Sequence, residues 1–204
     1  MRDLDKALAD ILEIRTQLAA GTAFRGYGPG AVALTGVIAL AMAATQSFFL
    51  TDAAEPLTFF GGWIAAAVLA AAVIGVEMVA RTRRHHAGLA DEMLFNAAQQ
   101  FLPAAAVGML LLIALWTFAP DTMWMLPGFW QILVGLGIFA SLRTMPRNFV
   151  LGGAWYIVAG FVVLMLAAES RALSPWLMGV PFGLGQLFIA GILHAADGGD
   201  DEQA

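Results

Sequence analysis

The stretch LTFFGGWIAAAVLAAAVIGVEMVA (residues 57–80), followed at once by RTRRHH (residues 81–86), decides the fold class. Its 24 residues contain one ionisable side chain, Glu77, four positions before the basic cluster begins. A bilayer core about 30 Å thick is crossed by roughly 20 apolar residues in a helix, so this run predicts a transmembrane helix. In lipid a helix satisfies its backbone hydrogen bonds within one segment, which an open strand cannot do.

The composition of the whole chain extends this interpretation. Of its 204 residues 60% are hydrophobic and 12% charged, and the mean hydropathy is +0.79. Soluble domains average about 45–50% apolar and about 25% charged residues. Six runs are long enough to span a membrane: 30–50, 57–80, 101–118, 123–142, 148–168 and 175–195. We therefore predict an all-α, polytopic membrane protein, a compact bundle of six transmembrane helices in three hairpins.

Basic residues predict the orientation of this bundle. If the N-terminus lies inside the cell, nine of the ten Lys and Arg residues fall on the cytoplasmic side, and Arg171 alone falls outside. Cytoplasmic loops collect basic residues because these translocate poorly. We expect both termini in the cytoplasm. The chain has no cysteine, which excludes disulfides and thiolate metal sites.

The soluble ends are short. Residues 1–25 predict a cytoplasmic amphipathic helix over 3–20 and a glycine-rich elbow, because Leu4, Ile11 and Leu18 repeat every seven residues and would form an apolar seam along the helix. This helix either folds back on the cytoplasmic face of its own chain or docks a protein partner or a second copy. Residues 26–196 form the transmembrane domain, and we expect the acidic tail, 197–204, to be disordered.

The basic cluster after the second span is a candidate cytoplasmic contact site, with Arg81, Arg83 and Arg84 as its charged groups. Contact with anionic lipid headgroups explains it, and without interleaved aromatic residues it does not predict nucleic-acid binding. The two histidines that follow could form a metal site with Asp91 and Glu92. Adjacent histidines point to different faces of a helix, however, so we expect no metal there.

Polar residues within the spans are candidates for function in any membrane protein. Three amides lie inside the predicted spans, Gln46, Gln131 and Gln186. They either form hydrogen bonds between helices or line a small polar pocket that opens outward. Glu77 is explained by an ion pair with Arg81, four residues on, and alternatively by an ion site. No haem, zinc or phosphate-binding motif is present in the sequence, so we expect neither a cofactor nor enzymatic activity.

Aromatic residues predict where the bundle meets the lipid headgroups. Trp116, Trp124 and Trp176 fall at the outer ends of predicted spans, with Trp63 and Trp130 deeper, as in an interfacial belt. The alternative interpretation is an aromatic cage for a ligand.

Small residues predict where helices approach closely, since glycine and alanine let backbones meet in lipid. The pair Gly179 and Gly183 marks such a face on the sixth span, and the alanines and glycine of residues 66–75 mark one on the second.

The segments LPGFWQILVGLGIF (residues 126–139) and WYIVAGF (residues 155–161) resemble uncharacterised small six-helix bacterial membrane proteins encoded beside helix-turn-helix regulators. A weaker similarity, through prolines in the outer turns, is to acid-resistance membrane proteins of the HdeD type. The first resemblance implies a location in the bacterial inner membrane and a regulatory or stress-linked role, and it brings no catalytic residues. We thus expect a non-enzymatic protein that interacts with the bilayer and with a cytoplasmic partner or a second copy. The alternative is a small transporter or channel for a neutral or apolar solute.

Overall fold

The computed structural model describes residues 28–49, 56–85, 90–142 and 148–201, with side chains for all of these except 81–98, 100 and 196–201. This part of the chain consists of helices and the short connections between them, and it contains no strand. Its helices are α1 (Pro29–Phe49), α2 (Pro56–His85), α3 (Ala90–Phe118), a 3-10 helix (Pro120–Met125), α4 (Leu126–Ser141), α5 (Phe149–Ser170) and α6 (Pro175–Asp201). Six segments among them are long and apolar enough to cross a membrane, so the predicted all-α, multi-pass membrane architecture is confirmed.

The fourth span differs from its prediction at its start. We predicted one helix over 123–142, whereas a 3-10 helix precedes α4. The physical reason is Pro127, which has no N–H to donate to the carbonyl of Met123. The N–H of Leu126 donates to that carbonyl instead, which is the tighter bond of a 3-10 turn.

The first and last spans, α1 and α6, pack face to face through small residues. A Cβ added at Gly36 would lie 2.9 Å from the carbonyl oxygen of Gly183, and one at Gly179 would overlap Ala43. Since residue numbers rise along α1 as they fall along α6 in these contacts, the two helices are antiparallel. The predicted close approach at Gly179 and Gly183 is therefore confirmed.

A second close pair joins α4 to α5. A Cβ at Gly128 would lie 2.8 Å from the Gly160 oxygen, and one at Gly160 would lie 2.7 Å from the Gly128 oxygen. Two helical turns further along α4, a Cβ at Gly135 would lie 2.9 Å from the Gly153 oxygen. These glycines let the two backbones touch, which in lipid is a main source of helix attraction.

The helices α2 and α3 are more peripheral. Gly108 is the one buried residue of Phe101–Phe118. On α2, Ala66 is buried, but Ala71 is exposed and a Cβ at Gly75 would meet no atom within 4 Å. The prediction that the small residues of 66–75 make a packing face is therefore wrong for Ala67, Ala71 and Gly75. At the start of α2 large side chains fill the interior instead, since Phe59, Phe60 and Trp63 are buried there.

Within the described residues, two clusters of buried side chains fill the bundle. We call the end at which α1 begins the Pro29 end, and the opposite one the Phe49 end. The first cluster, towards the Phe49 end, joins α1, α2, the 3-10 helix, α4 and α6. Its members are Ala39, Ala43, Phe59, Phe60, Trp63, Met123, Leu126 and Met178. The second joins α1, α4, α5 and α6, and its members are Val32, Ile138, Phe149, Tyr156, Ile189, Ala190 and Leu193.

Candidate functional site

The proline inside α6 creates a polar position in the middle of a transmembrane helix. Pro181 has no N–H, so the carbonyl oxygen of Leu177, four residues earlier, lacks its usual helical donor. The side chain of Gln131 on α4 supplies one, since its Nε2 donates to the Leu177 oxygen at 2.8 Å. Membrane helices tolerate proline where a neighbouring helix satisfies the freed carbonyl in this way. Gln131 thereby ties α4 to the interrupted turn of α6.

Two aromatic residues of α5 donate to the same stretch of α6. The indole Nε1 of Trp155 donates to the Pro181 oxygen at 3.0 Å, and the Tyr156 hydroxyl donates to the Phe182 oxygen at 3.3 Å. The Tyr156 oxygen also accepts a hydrogen bond from Gln186 Nε2 at 3.1 Å. We call Gln131, Trp155, Tyr156, Pro181 and Gln186 the Pro181 cluster. It joins three helices by side-chain hydrogen bonds around one proline.

A second interhelical bond holds α1 to α2. Gln46 Nε2 donates to the carbonyl oxygen of Phe59 at 2.9 Å. Gly62 leaves the space for this side chain, because a Cβ there would lie 2.5 Å from the amide nitrogen. The glycine and the amide therefore work as a pair.

Among the side chains that the structure describes, three buried polar atoms near the first cluster have no hydrogen-bond partner: Gln46 Oε1, Gln131 Oε1 and Trp63 Nε1. Trp63 belongs to that cluster, Gln46 is bound to its Phe59, and Gln131 is bound to the residue before its Met178. Buried polar groups without a partner are rare and costly in proteins. The two glutamine oxygens are acceptors and the Trp63 nitrogen is a donor, so each could bind a polar group of a small neutral molecule.

The three amides predicted as a pocket therefore point into the bundle but are not joined to one another. Gln131 is fully buried and Gln46 nearly so, with 6% exposed, whereas Gln186 is half-buried. Gln46 and Gln131 adjoin the first cluster, while Gln186 binds Tyr156 of the second. A pocket shared by all three stays a prediction.

The five tryptophans considered for the interfacial belt divide into two groups. Trp116 and Trp176 are exposed near the Phe49 end, and Trp124 is half-buried there, which agrees with contact with headgroups. Trp63 is buried, and Trp130 packs against Phe60 with ring centroids 5.5 Å apart. Its Nε1 donates to the Gly108 oxygen at 3.0 Å, the bond that fastens α3 to α4.

The remaining candidate residues lie outside the described side chains. These are Leu4, Ile11 and Leu18 of the N-terminal segment and Arg81, Arg83 and Arg84 of the basic cluster. The proposed metal alternative beside that cluster falls there too. Among the described residues, no group of three His, Asp or Glu side chains could hold a metal ion.

Sequence reasoning missed Trp155, Tyr156 and Pro181 as polar positions. A usable signal was present, because a proline in the middle of a predicted span always frees the carbonyl four residues before it. The adjacent Trp and Tyr in the middle of the fifth span were a second signal, since aromatic residues with polar atoms usually lie at the interface instead.

Comparison of the chain with protein-family models, with curated proteins and with solved structures found no match. The resemblances named from residues 126–139 and 155–161 therefore stay predictions.

Proposed function

We propose that this chain is a non-enzymatic protein of the bacterial inner membrane that acts by binding a cytoplasmic partner. The observation that carries the proposal is the use of the interior polar groups. Gln131, Trp155 and Gln46 each donate to a backbone carbonyl of another helix, so these groups hold the bundle together. The most patterned polar segments of the sequence, residues 1–20 and 81–86, would then supply the surface for function.

The proposed orientation has both termini in the cytoplasm, since nine of ten basic residues would then lie there. The chain has no cysteine, so a single introduced one reports cleanly. Cysteines at Ala53, Asp121 and Arg171 should react in intact cells with a thiol reagent that cannot cross membranes. A cysteine at Thr82 should react only after lysis, and the reverse pattern would overturn this orientation.

The partner is tested by purification from detergent of the full chain and of a chain lacking residues 1–20. We expect a co-purifying cytoplasmic protein, or a second copy of the chain, that is lost on truncation. The matched pair of point variants is Ile11→Ser, on the apolar seam, and Ala9→Ser, on the opposite side of the helix. The seam variant should weaken the complex and the control should not. Equal recovery with both variants and with the truncated chain contradicts the proposal.

A second candidate function, transport of a small neutral solute, is favoured by the unpaired atoms of Gln46, Gln131 and Trp63. Of these three residues, Gln131 also binds the turn of α6 that precedes Pro181. Solute flux into liposomes that survives removal of residues 1–20 and is lost in Gln46→Leu would support this function. The same flux in Gln46→Leu and the parent chain would count against it.

A further inference from the structure

A lateral groove opens between α1 and α2 near the Pro29 end. Gly30, Ala31 and Leu34 line it from α1, and Ala72, Val73 and Val76 line it from α2. Its volume is about 550 Å³, and the carboxylate-bearing residue Glu77 adjoins it. Small side chains on both walls leave this space, and a Cβ at Gly30 would meet no atom within 4 Å.

The chain itself carries a segment that can reach this groove. The described residues begin at Gly28, which is buried and lies two positions before the first groove residue, and 27 residues precede it. If residues 3–20 form the predicted helix, it is about 27 Å long at 1.5 Å per residue. The connection over 21–28 reaches up to about 26 Å when extended, at roughly 3.3 Å per residue. Both Ile11 and Leu18 can therefore lie over the groove.

The chemistry of the segment favours the groove over the open membrane surface. Helices that lie on anionic lipid carry an excess of Lys and Arg, whereas residues 1–20 carry four acidic and three basic groups. The apolar seam of residues 1–20 therefore needs an apolar binding surface that does not depend on attraction to charged lipid headgroups. A groove walled by Ala31, Leu34, Val73 and Val76 provides one, and a short tether keeps the helix at a millimolar effective concentration.

We infer that the α1–α2 groove is the docking site of the chain's own N-terminal helix, with Ile11 and Leu18 seated in it. The contact is a resting state in which the seam is covered until a partner takes it. This regulatory meaning rests on the proposed function, since the partner would use the same seam. The docking itself needs no partner and is measured on the purified chain.

The test is disulfide formation between introduced cysteines in liposomes, using a hydrophobic oxidant. One cysteine replaces Ile11 and the other replaces Val76, whose side chain is 70% exposed. Trypsin can cut at Arg15 and Arg25, between these positions, so an intramolecular disulfide holds together fragments that otherwise separate on a non-reducing gel. Two controls match this pair. Glu13→Cys with Val76→Cys tests the opposite side of the helix, and Ile11→Cys with Val150→Cys tests another exposed valine near the Pro29 end.

We expect about tenfold more intramolecular cross-link for the Ile11–Val76 pair than for either control, which corresponds to a docking preference of about 1.4 kcal/mol. A groove-filling variant, Ala31→Trp, should abolish the excess while the protein still purifies as the parent does. Equal yields in all three pairs, as expected if lipid chains fill the groove, would overturn the inference. A cross-link found only between two chains would overturn it in favour of a second copy. If the cross-link forms but the chain without residues 1–20 loses no partner, the proposed function is refuted while the docking inference stands.

Discussion

Replacing Gln131 by leucine tests whether the Pro181 cluster holds α6 to α4. The substitution removes the 2.8 Å hydrogen bond to the Leu177 oxygen, which has no helical donor because residue 181 is proline. Interhelical hydrogen bonds in membranes contribute about 0.6 kcal/mol on average and about 1.7 kcal/mol at most. We place this one near the upper value, since its loss leaves a buried carbonyl without any donor. The unpaired Gln131 Oε1 leaves as well, which offsets part of the loss. The expected decrease in the free energy of unfolding is about 1 kcal/mol.

The second half of this prediction is a rescue. In the variant Pro181→Ala the N–H of residue 181 can donate to the Leu177 oxygen, which restores the helical hydrogen bond. Gln131→Leu should then cost much less than it does beside proline. The coupling free energy in the double-mutant cycle, about 1 kcal/mol, measures the dependence of one residue on the other.

Unfolding in mixed micelles of rising SDS fraction, followed by helical circular dichroism, gives the four free energies. Trp155 provides the control. Its Nε1 donates to the backbone carbonyl oxygen of residue 181, and Pro181→Ala retains that oxygen. Trp155→Phe should therefore cost about the same with proline or alanine at 181. The reasoning is refuted if Gln131→Leu costs the same in both backgrounds, because Leu177 would then not depend on the glutamine.

Three further predictions use the same measurement. Gly160→Ala should destabilise the bundle by about 1–3 kcal/mol, since its Cβ would lie 2.7 Å from a carbonyl oxygen of α4. Gly75→Ala is the control and should not destabilise the bundle, because that position faces open space. Equal effects of the two variants would contradict the close contact at Gly160. Trp130→Phe should cost about 0.6 kcal/mol by removing the α3–α4 bond, and no loss would show that α3 is held otherwise. Arg171 follows the last residue of α5 with a positive φ of 50°, a conformation that glycine adopts without steric cost and alanine does not. Arg171→Gly should therefore stabilise the bundle by about 1 kcal/mol, and Arg171→Ala should not. A gain in stability with alanine would point to removal of the positive charge as the cause.

The six spans could be predicted because apolar runs and prolines mark them directly. Pro29, Pro56 and Pro175 each begin a helix at the first position, where a missing N–H costs nothing. The entry to α4 could not be predicted in the same way. Two prolines, Pro120 and Pro127, compete there for one helix start, and the chain resolves this with a 3-10 turn.

The packing faces were harder to predict, because lipid and protein interior are equally apolar. Val68 is exposed and Val163 is buried, although both are valines in the middle of spans. Glycine spacing carried more information. The Gly179 and Gly183 contact was predicted, and the α4–α5 contact had a visible signal in glycines seven residues apart, Gly128 with Gly135. The three glutamines could be predicted to point into the bundle, because an amide in hydrocarbon seeks a hydrogen bond. Their hydrogen-bond partners could not be predicted, because these depend on which helices are neighbours.

The pairing of α1 with α6 governs the order in which the bundle can be assembled during synthesis. Gly36 meets Gly183, which is 147 residues later in the chain. At about 5–20 residues per second, a ribosome needs about 7–30 s to make that stretch. Throughout this time the small-residue face of α1 lies in the bilayer without α6, the helix it packs against in the finished bundle. The last span is therefore the one that closes the bundle, and a chain interrupted before residue 175 would present that open face to the membrane's proteases.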